Sequence, residues 1–163
     1  MNLKQELKRF VRRGNFTLTG GNRSDLYFDL KESYGNPEIL NALADELYKI
    51  IDKNATCVAC IDVGGAPLAS VLSSKYGLKL TIARDKLKAH GTQKMIEGYL
   101  PGLGDKVVIV DDVFTAGTSM RKALDALDST KAEILGGYVI VKRGDGVISV
   151  PLYYLFSSEE FVE

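Results

Sequence analysis

The sequence predicts an α/β fold, with a central, mostly parallel sheet flanked by helices and a small amino-terminal hood beside it. Three observations carry that prediction. From residue 56 onward, short apolar runs alternate with helical patterns, as parallel strands joined by right-handed crossovers require. Val107 to Val110 form a continuous apolar run of three valines and one isoleucine, which suits a strand covered on both faces. A chain of 163 residues, 45% hydrophobic, has enough apolar side chains for a substantial core, and residues 1–163 are expected to form one domain.

Taken in order, the chain begins with Leu3, Leu7, Phe10 and Val11 at helical spacing, so a first amphipathic helix is expected over 2–13, ended by Gly14. Residues 16–19 and 26–30 read as two short strands around a turn at 20–24, and these make the hood. Pro37 suits the first position of a helix running to about residue 51, with Asn36 as its cap. Strands are then expected at 57–61, 79–83, 106–110, 134–141 and 152–156, with helices at 67–76 and 118–128. No internal repeat or long linker divides them.

Composition narrows the function. The 21 basic and 21 acidic side chains cancel, which argues against a nucleic-acid or membrane-surface partner. No apolar run reaches bilayer length, and the start, MNLKQELKRF, is amphipathic rather than a signal peptide, so a cytoplasmic protein is expected. Cys57 and Cys60 form a CxxC on paper. Three positions apart in a strand, however, they face opposite ways, and no second pair completes a zinc site, so they read as small buried residues. The sequons at Asn15, Asn22 and Asn54 are chance matches without a secretory signal.

Chemistry concentrates in VVIVDDVFTAGTS, Val107 to Ser119. Asp111 and Asp112 fall at the carboxyl end of a buried strand, where open α/β sheets hold their ligands. Thr115, Ala116, Gly117, Thr118 and Ser119 follow, small and rich in hydroxyls, at the start of a helix. Free N–H groups there make a cradle for one phosphate. The lysine of a Walker A loop is missing, and two carboxylates repel a triphosphate but accept hydrogen bonds from sugar hydroxyls, so a ribose 5-phosphate fits best. The plain alternative is a solvated acidic turn with Thr118 or Ser119 as helix cap. Asp62-Val-Gly-Gly-Ala-Pro67 offers a second backbone nest, or merely a turn. Arg84 to Thr92 is rich in cations and lacks an apolar period, so it reads as a loop. It contains His90, the one histidine of the chain.

The order of apolar strand, Asp-Asp and TAGTS resembles the PRPP-binding motif of the type I phosphoribosyltransferases. Three further stretches resemble the orotate enzymes within that family: FTLT with SDLYFDLK, the spacing of Arg84, Lys88 and His90, and Arg143 at a strand end. The resemblance implies a type I phosphoribosyltransferase-like fold and transfer of a phosphoribosyl group from PRPP to orotate, with Mg²⁺ held mainly by PRPP rather than by a certain protein ligand. It implies that Arg84, Asp85, Lys88 and His90 bind PRPP together with Asp111, Asp112, Val113, Phe114 and the TAGTS residues. Val63, Gly64 and Gly65 would form the pyrophosphate loop, and Tyr27, Phe28, Thr115 and Arg143 the orotate site. Lys88, His90, Asp111 and Asp112 would be catalytic, in a homodimer whose subunits share active sites. Two positions depart from the pattern: Gly64 and Asp85 stand where family members often have lysine, leaving open which cation meets the pyrophosphate. Transfer to a purine base, or a non-catalytic PRPP-binding regulatory role, are the alternatives.

Overall fold

The hood comes first along the chain. In the computed structural model, which describes residues 1–18, 21–86 and 94–162, helix α1 spans only Leu3–Lys8, capped by the Asn2 side chain on the Gln5 N–H. The expected helix to residue 13 is therefore cut short. Val11 starts strand β1 (Val11–Thr17), which pairs antiparallel with β2 (Arg23–Phe28), Val11 opposite Phe28. Pairing with a distant strand outcompetes the weak local helical period. Gly14 lies inside β1, at a register irregularity between Arg13 and Phe16, and is not a helix stop. Leu30, expected at the end of the second strand, instead opens the short helix α2 (Leu30–Ser33) and is fully buried.

Helix α3 (Pro37–Ile50) matches expectation, with the Asn36 side chain accepting the Glu38 and Ile39 N–H groups at 2.9 and 3.4 Å. The main sheet contains β3 (Cys57–Ile61), β4 (Lys79–Ala83), β5 (Ile96–Gly98), β6 (Lys106–Phe114), β7 (Glu133–Lys142) and β8 (Leu152–Ser157). Their spatial order is β5-β4-β3-β6-β7-β8, parallel throughout except for the β4–β5 pair. β5 was not expected; three residues at a sheet edge are too few to show a period. A 3₁₀ turn (Ser158–Phe161) follows β8.

Helix α4 (Asp62–Tyr76) and α5 (Thr118–Asp128) leave β3 and β6 respectively. The apolar residues of α3 and α4 pack with Val58, Cys60, Val108 and Val110, while those of α5 pack with Cys57, Ala59, Val107 and Ile109. The two helices therefore cover opposite faces, and the two cysteines do face opposite ways, both buried and free. α4 returns the chain to β4 and α5 carries it to β7, so strand order reverses between β3 and β6. At such a point the carboxyl ends of neighbouring strands part and leave a crevice.

Candidate active site

β6 runs four residues past the end of its apolar run. β3 stops pairing with it at Cys60 opposite Val110, but β7 continues, with Asp111 opposite Val139 and Phe114 opposite Lys142. Asp111 and Asp112 are therefore within the strand, correcting the expected end at residue 110, and one side of that strand is open to the crevice. Both are buried, at 7% and 6% exposure. The Asp112 N–H donates to Asp111 Oδ1 at 2.9 Å and the Val113 N–H to Asp112 Oδ1 at 2.8 Å. Lys31 Nζ, from α2 of the hood, lies 3.2 Å from Asp112 Oδ2. Burial, reinforced by the neighbouring Asp112 charge, holds the Asp111 carboxyl well above the usual carboxylate range. Desolvation opposes the charge on Lys31, but the Asp112 carboxylate outweighs it and keeps the ammonium protonated.

Beyond the acids, Gly117 sits in the left-handed region (φ 81°) and is itself the cap residue of α5. No side chain caps that helix, which sets aside the plain alternative of Thr118 or Ser119 as cap and leaves its first N–H groups free for a ligand. A small hollow of about 90 Å³ is lined by Asp111, Val113, Phe114, Thr115, Ala116, Gly117, Thr118 and Ser119. Its shape is fixed from behind: Arg121 donates to the Ala116 and Val147 carbonyls at 2.9 Å each, stapling the loop to the segment after β7.

On the β3 side, α4 starts at Asp62, five residues before the expected Pro67, so the second nest is the first turn of a helix. Asp62 has φ 53°, a strained conformation for a residue with a side chain, of a kind that clusters at functional sites. A Cβ on Gly64 would lie 2.5 Å from Asp111 Oδ1 and 2.7 Å from Asp112 Oδ1, so only glycine lets this turn approach the acid pair. The Tyr34 hydroxyl donates to the Gly64 carbonyl at 2.9 Å.

These pieces surround a cavity of about 550 Å³, lined by the acid pair, Lys31, Asp62, Val63, Gly64, Val113, Thr115, Ser119 and, from the hood side, Tyr27, Phe28 and Arg143. Tyr27 is 38% exposed and Phe28 only 4%, yet both line it. Phe28 doubles as a core residue, its ring edge against Phe161. Arg143 donates to the Ser24 hydroxyl and the Leu26 carbonyl, and its guanidinium lies 5.6 Å from the Phe28 ring centre, so it ties the hood to the sheet.

Two expected residues lie to one side. Arg84 pairs with Glu97 at 3.2 Å and Asp85 with Lys122 at 2.5 Å; they line a neighbouring hollow of about 620 Å³ shared with Asp62 and Val63. Gly65 is behind the turn, against the Val110 carbonyl. Lys88 and His90 lie outside the described residues. Lys31, Tyr34 and Arg121 were not singled out from the sequence. Lys31 had a signal, as the last residue of SDLYFDLK. The other two reach the Gly64 and Val147 carbonyls, remote in sequence, and had none.

Known proteins repeat this architecture. The chain matches the phosphoribosyl transferase domain family over residues 30–160. It is 41% identical over 133 residues to the orotate phosphoribosyltransferase of Methanopyrus kandleri, covering 82% of this chain and 71% of that protein. It is 37% identical over 139 residues to that of Pyrococcus horikoshii, covering 83% and 74%. The crystal structure of orotate phosphoribosyltransferase from Aeropyrum pernix superposes with a TM-score of 0.85 at 29% identity, over 98% of this chain and 96% of that one. A fold with a ligand crevice at the strand-order reversal and sequence agreement along most of its length lead to one conclusion: the chain belongs to the phosphoribosyl transferase family.

Proposed function

We propose that this protein is an orotate phosphoribosyltransferase, acting as one domain over residues 1–163. It joins N1 of orotate to the ribose anomeric carbon of PRPP as the bond to pyrophosphate breaks, giving orotidine 5′-monophosphate and pyrophosphate for pyrimidine synthesis. The observation that carries this reading is the convergence on one cavity of the acid pair, the hydroxyl-rich α5 entrance and Arg143.

Each group has a task that follows from its chemistry. The α5 entrance takes the 5′-phosphate on free N–H groups and the Thr115, Thr118 and Ser119 hydroxyls. Asp111 and Asp112 accept the ribose hydroxyls and sit beside the positive charge that builds on the sugar ring. The first turn of α4, with Val63 and Gly64 at the cavity wall, faces the departing pyrophosphate. Tyr27 and Phe28 give the flat pyrimidine an aromatic wall, and the planar guanidinium of Arg143 matches the orotate carboxylate. Lys88 and His90 supply cations to the leaving group and a proton to its oxygen.

Mg²⁺ arriving with PRPP would supply charge neutralisation for the pyrophosphate. Among the described residues no group of three histidines, cysteines or carboxylates gathers in one place. The protein works as a cytoplasmic homodimer with shared active sites.

The deciding experiment follows orotate absorbance with PRPP and magnesium, against adenine and guanine in parallel. Consumption of orotate alone is expected. Turnover of a purine instead, or PRPP binding without turnover of any base, would overturn the assignment. Within it, Lys88→Ala is expected to lower kcat by roughly 100-fold or more while leaving thermal unfolding unchanged.

A further inference from the structure

The first turn of α4 is poorly held by its own backbone. Gly64 and Gly65 are the two most conformationally free residues a helix start can have. Pro67 lacks the N–H that would have bonded the Val63 carbonyl four residues back, so this turn has one fewer internal hydrogen bond. Asp62, at the other end of the turn, is in a left-handed conformation. The backbone bonds of this turn are therefore weakened at both of its ends.

A hold on the turn comes from the hood. Tyr34, the residue closing α2, is thirty positions away in sequence and donates its phenolic hydrogen to the Gly64 carbonyl at 2.9 Å. The peptide unit is planar and trans, so holding the Gly64 carbonyl fixes the plane of the Gly64–Gly65 peptide and with it the seating of the turn whose Val63 and Gly64 line the cavity. Three residues earlier on the same short helix, Lys31 holds Asp112 at 3.2 Å. One element of the hood thus touches both the turn and the acid pair against which that turn is pressed. Burial, with Asp112 and Asp111 facing it, pushes the Tyr34 phenol above its ordinary range, so it remains a donor at every working pH.

We propose that Tyr34 is a positioning residue for pyrophosphate, orienting the Gly64–Gly65 peptide so that the first turn of α4 presents its amides to the leaving group. This rests on the assignment of that turn to pyrophosphate under the proposed function and adds the residue that sets it.

The test is Tyr34→Phe, which keeps the ring and removes only the hydroxyl. Inorganic pyrophosphate with magnesium and, separately, orotidine 5′-monophosphate are titrated calorimetrically into both proteins, and thermal unfolding is recorded. The expected result is pyrophosphate affinity weakened roughly five- to tenfold, the loss of one hydrogen bond's net worth. Orotidine 5′-monophosphate affinity and the unfolding midpoint should stay close to wild type. Unchanged pyrophosphate affinity would overturn the proposal. So would equal weakening of both ligands, or loss of the folded state, because the hydroxyl would then be holding the fold rather than the turn. Wild-type protein that bound no pyrophosphate would also overturn it. A wild-type protein that binds pyrophosphate in a Tyr34-dependent way but leaves orotate unconsumed would sink the orotate assignment and leave this inference standing.

Discussion

Asp111 is buried beside a second carboxylate and shares one nearby ammonium with it, an arrangement that favours its neutral form. Because its pKa is raised in the fold, its contribution to stability is fully present below the ordinary carboxylate pKa and is lost as pH rises through the raised value. At neutral pH the fold therefore carries a carboxyl whose ionisation it opposes, a cost of the kind functional sites commonly bear. Asp111→Asn keeps an oxygen for the Asp112 N–H and removes the ionisable group. It is expected to raise the unfolding midpoint at pH 7 by about 2–4 °C, the shift made by roughly 1 kcal/mol in a chain of this size, while lowering activity. The gain should disappear below about pH 4, where the wild-type carboxyl is protonated in both states. Melts of the two proteins across that range would show it, and a gain independent of pH would rule out charge as its cause.

At the scale of the element, the start of α4 separates what glycine does for binding from what it does for folding. The Cβ of Gly64→Ala would meet the two carboxylates of the site, 2.5 and 2.7 Å away, and push them or the turn aside. Displacement of that order typically costs one to two decades in function, so PRPP affinity should fall roughly 10- to 100-fold with a modest change in stability. The Cβ of Gly65→Ala would run into the Val110 carbonyl, part of a strand that cannot yield. Overpacking against backbone costs about 1–3 kcal/mol, so its unfolding midpoint should drop by roughly 4–10 °C. PRPP titration and thermal melts of both variants test the contrast, and a Gly64→Ala protein that binds PRPP normally would refute it.

In the whole molecule, the two ends of the sheet do different work. The carboxyl ends of β3 and β6 hold the strained Asp62, the buried acid pair and the open cavity. The amino end is closed by Asp105, whose carboxylate accepts the Tyr99 hydroxyl at 2.7 Å, the Gly102 N–H at 3.0 Å, Lys79 Nζ at 3.1 Å and the Thr56 hydroxyl at 3.0 Å. Those partners belong to β4 and to the segments preceding β3 and following β5, so one side chain joins the starts of three neighbouring strands. The Tyr99 hydroxyl, then the Gly102 amide, hold its carboxyl well below the usual carboxylate range. That stabilisation is present above the unfolded carboxylate pKa and is lost as pH falls toward the depressed folded value. Asp105→Asn is expected to melt several degrees lower at neutral pH, with the gap from wild type narrowing in acid and orotate turnover at room temperature unaffected. A gap that widened in acid would contradict this account.

The sequence by itself determined the alternation of strands and helices, the buried β3 and β6 and the hydroxyl-rich entrance of α5, because these depend on local period and composition. It also determined the family resemblance, through motifs whose residues are contiguous or nearly so. Two boundaries it missed share a cause: α1 was cut short by pairing of Val11 with Phe28, and β6 was lengthened past its apolar run by pairing with β7. Only the tertiary structure decided which groups meet at the crevice. Lys31 reaches Asp112, Tyr34 reaches Gly64, Arg143 grips the hood and Arg121 braces the loop before α5, all by hydrogen bonds or ion pairs. A hydrogen bond acts over about 3 Å of space whatever the separation along the chain, so it leaves no period in the sequence to read.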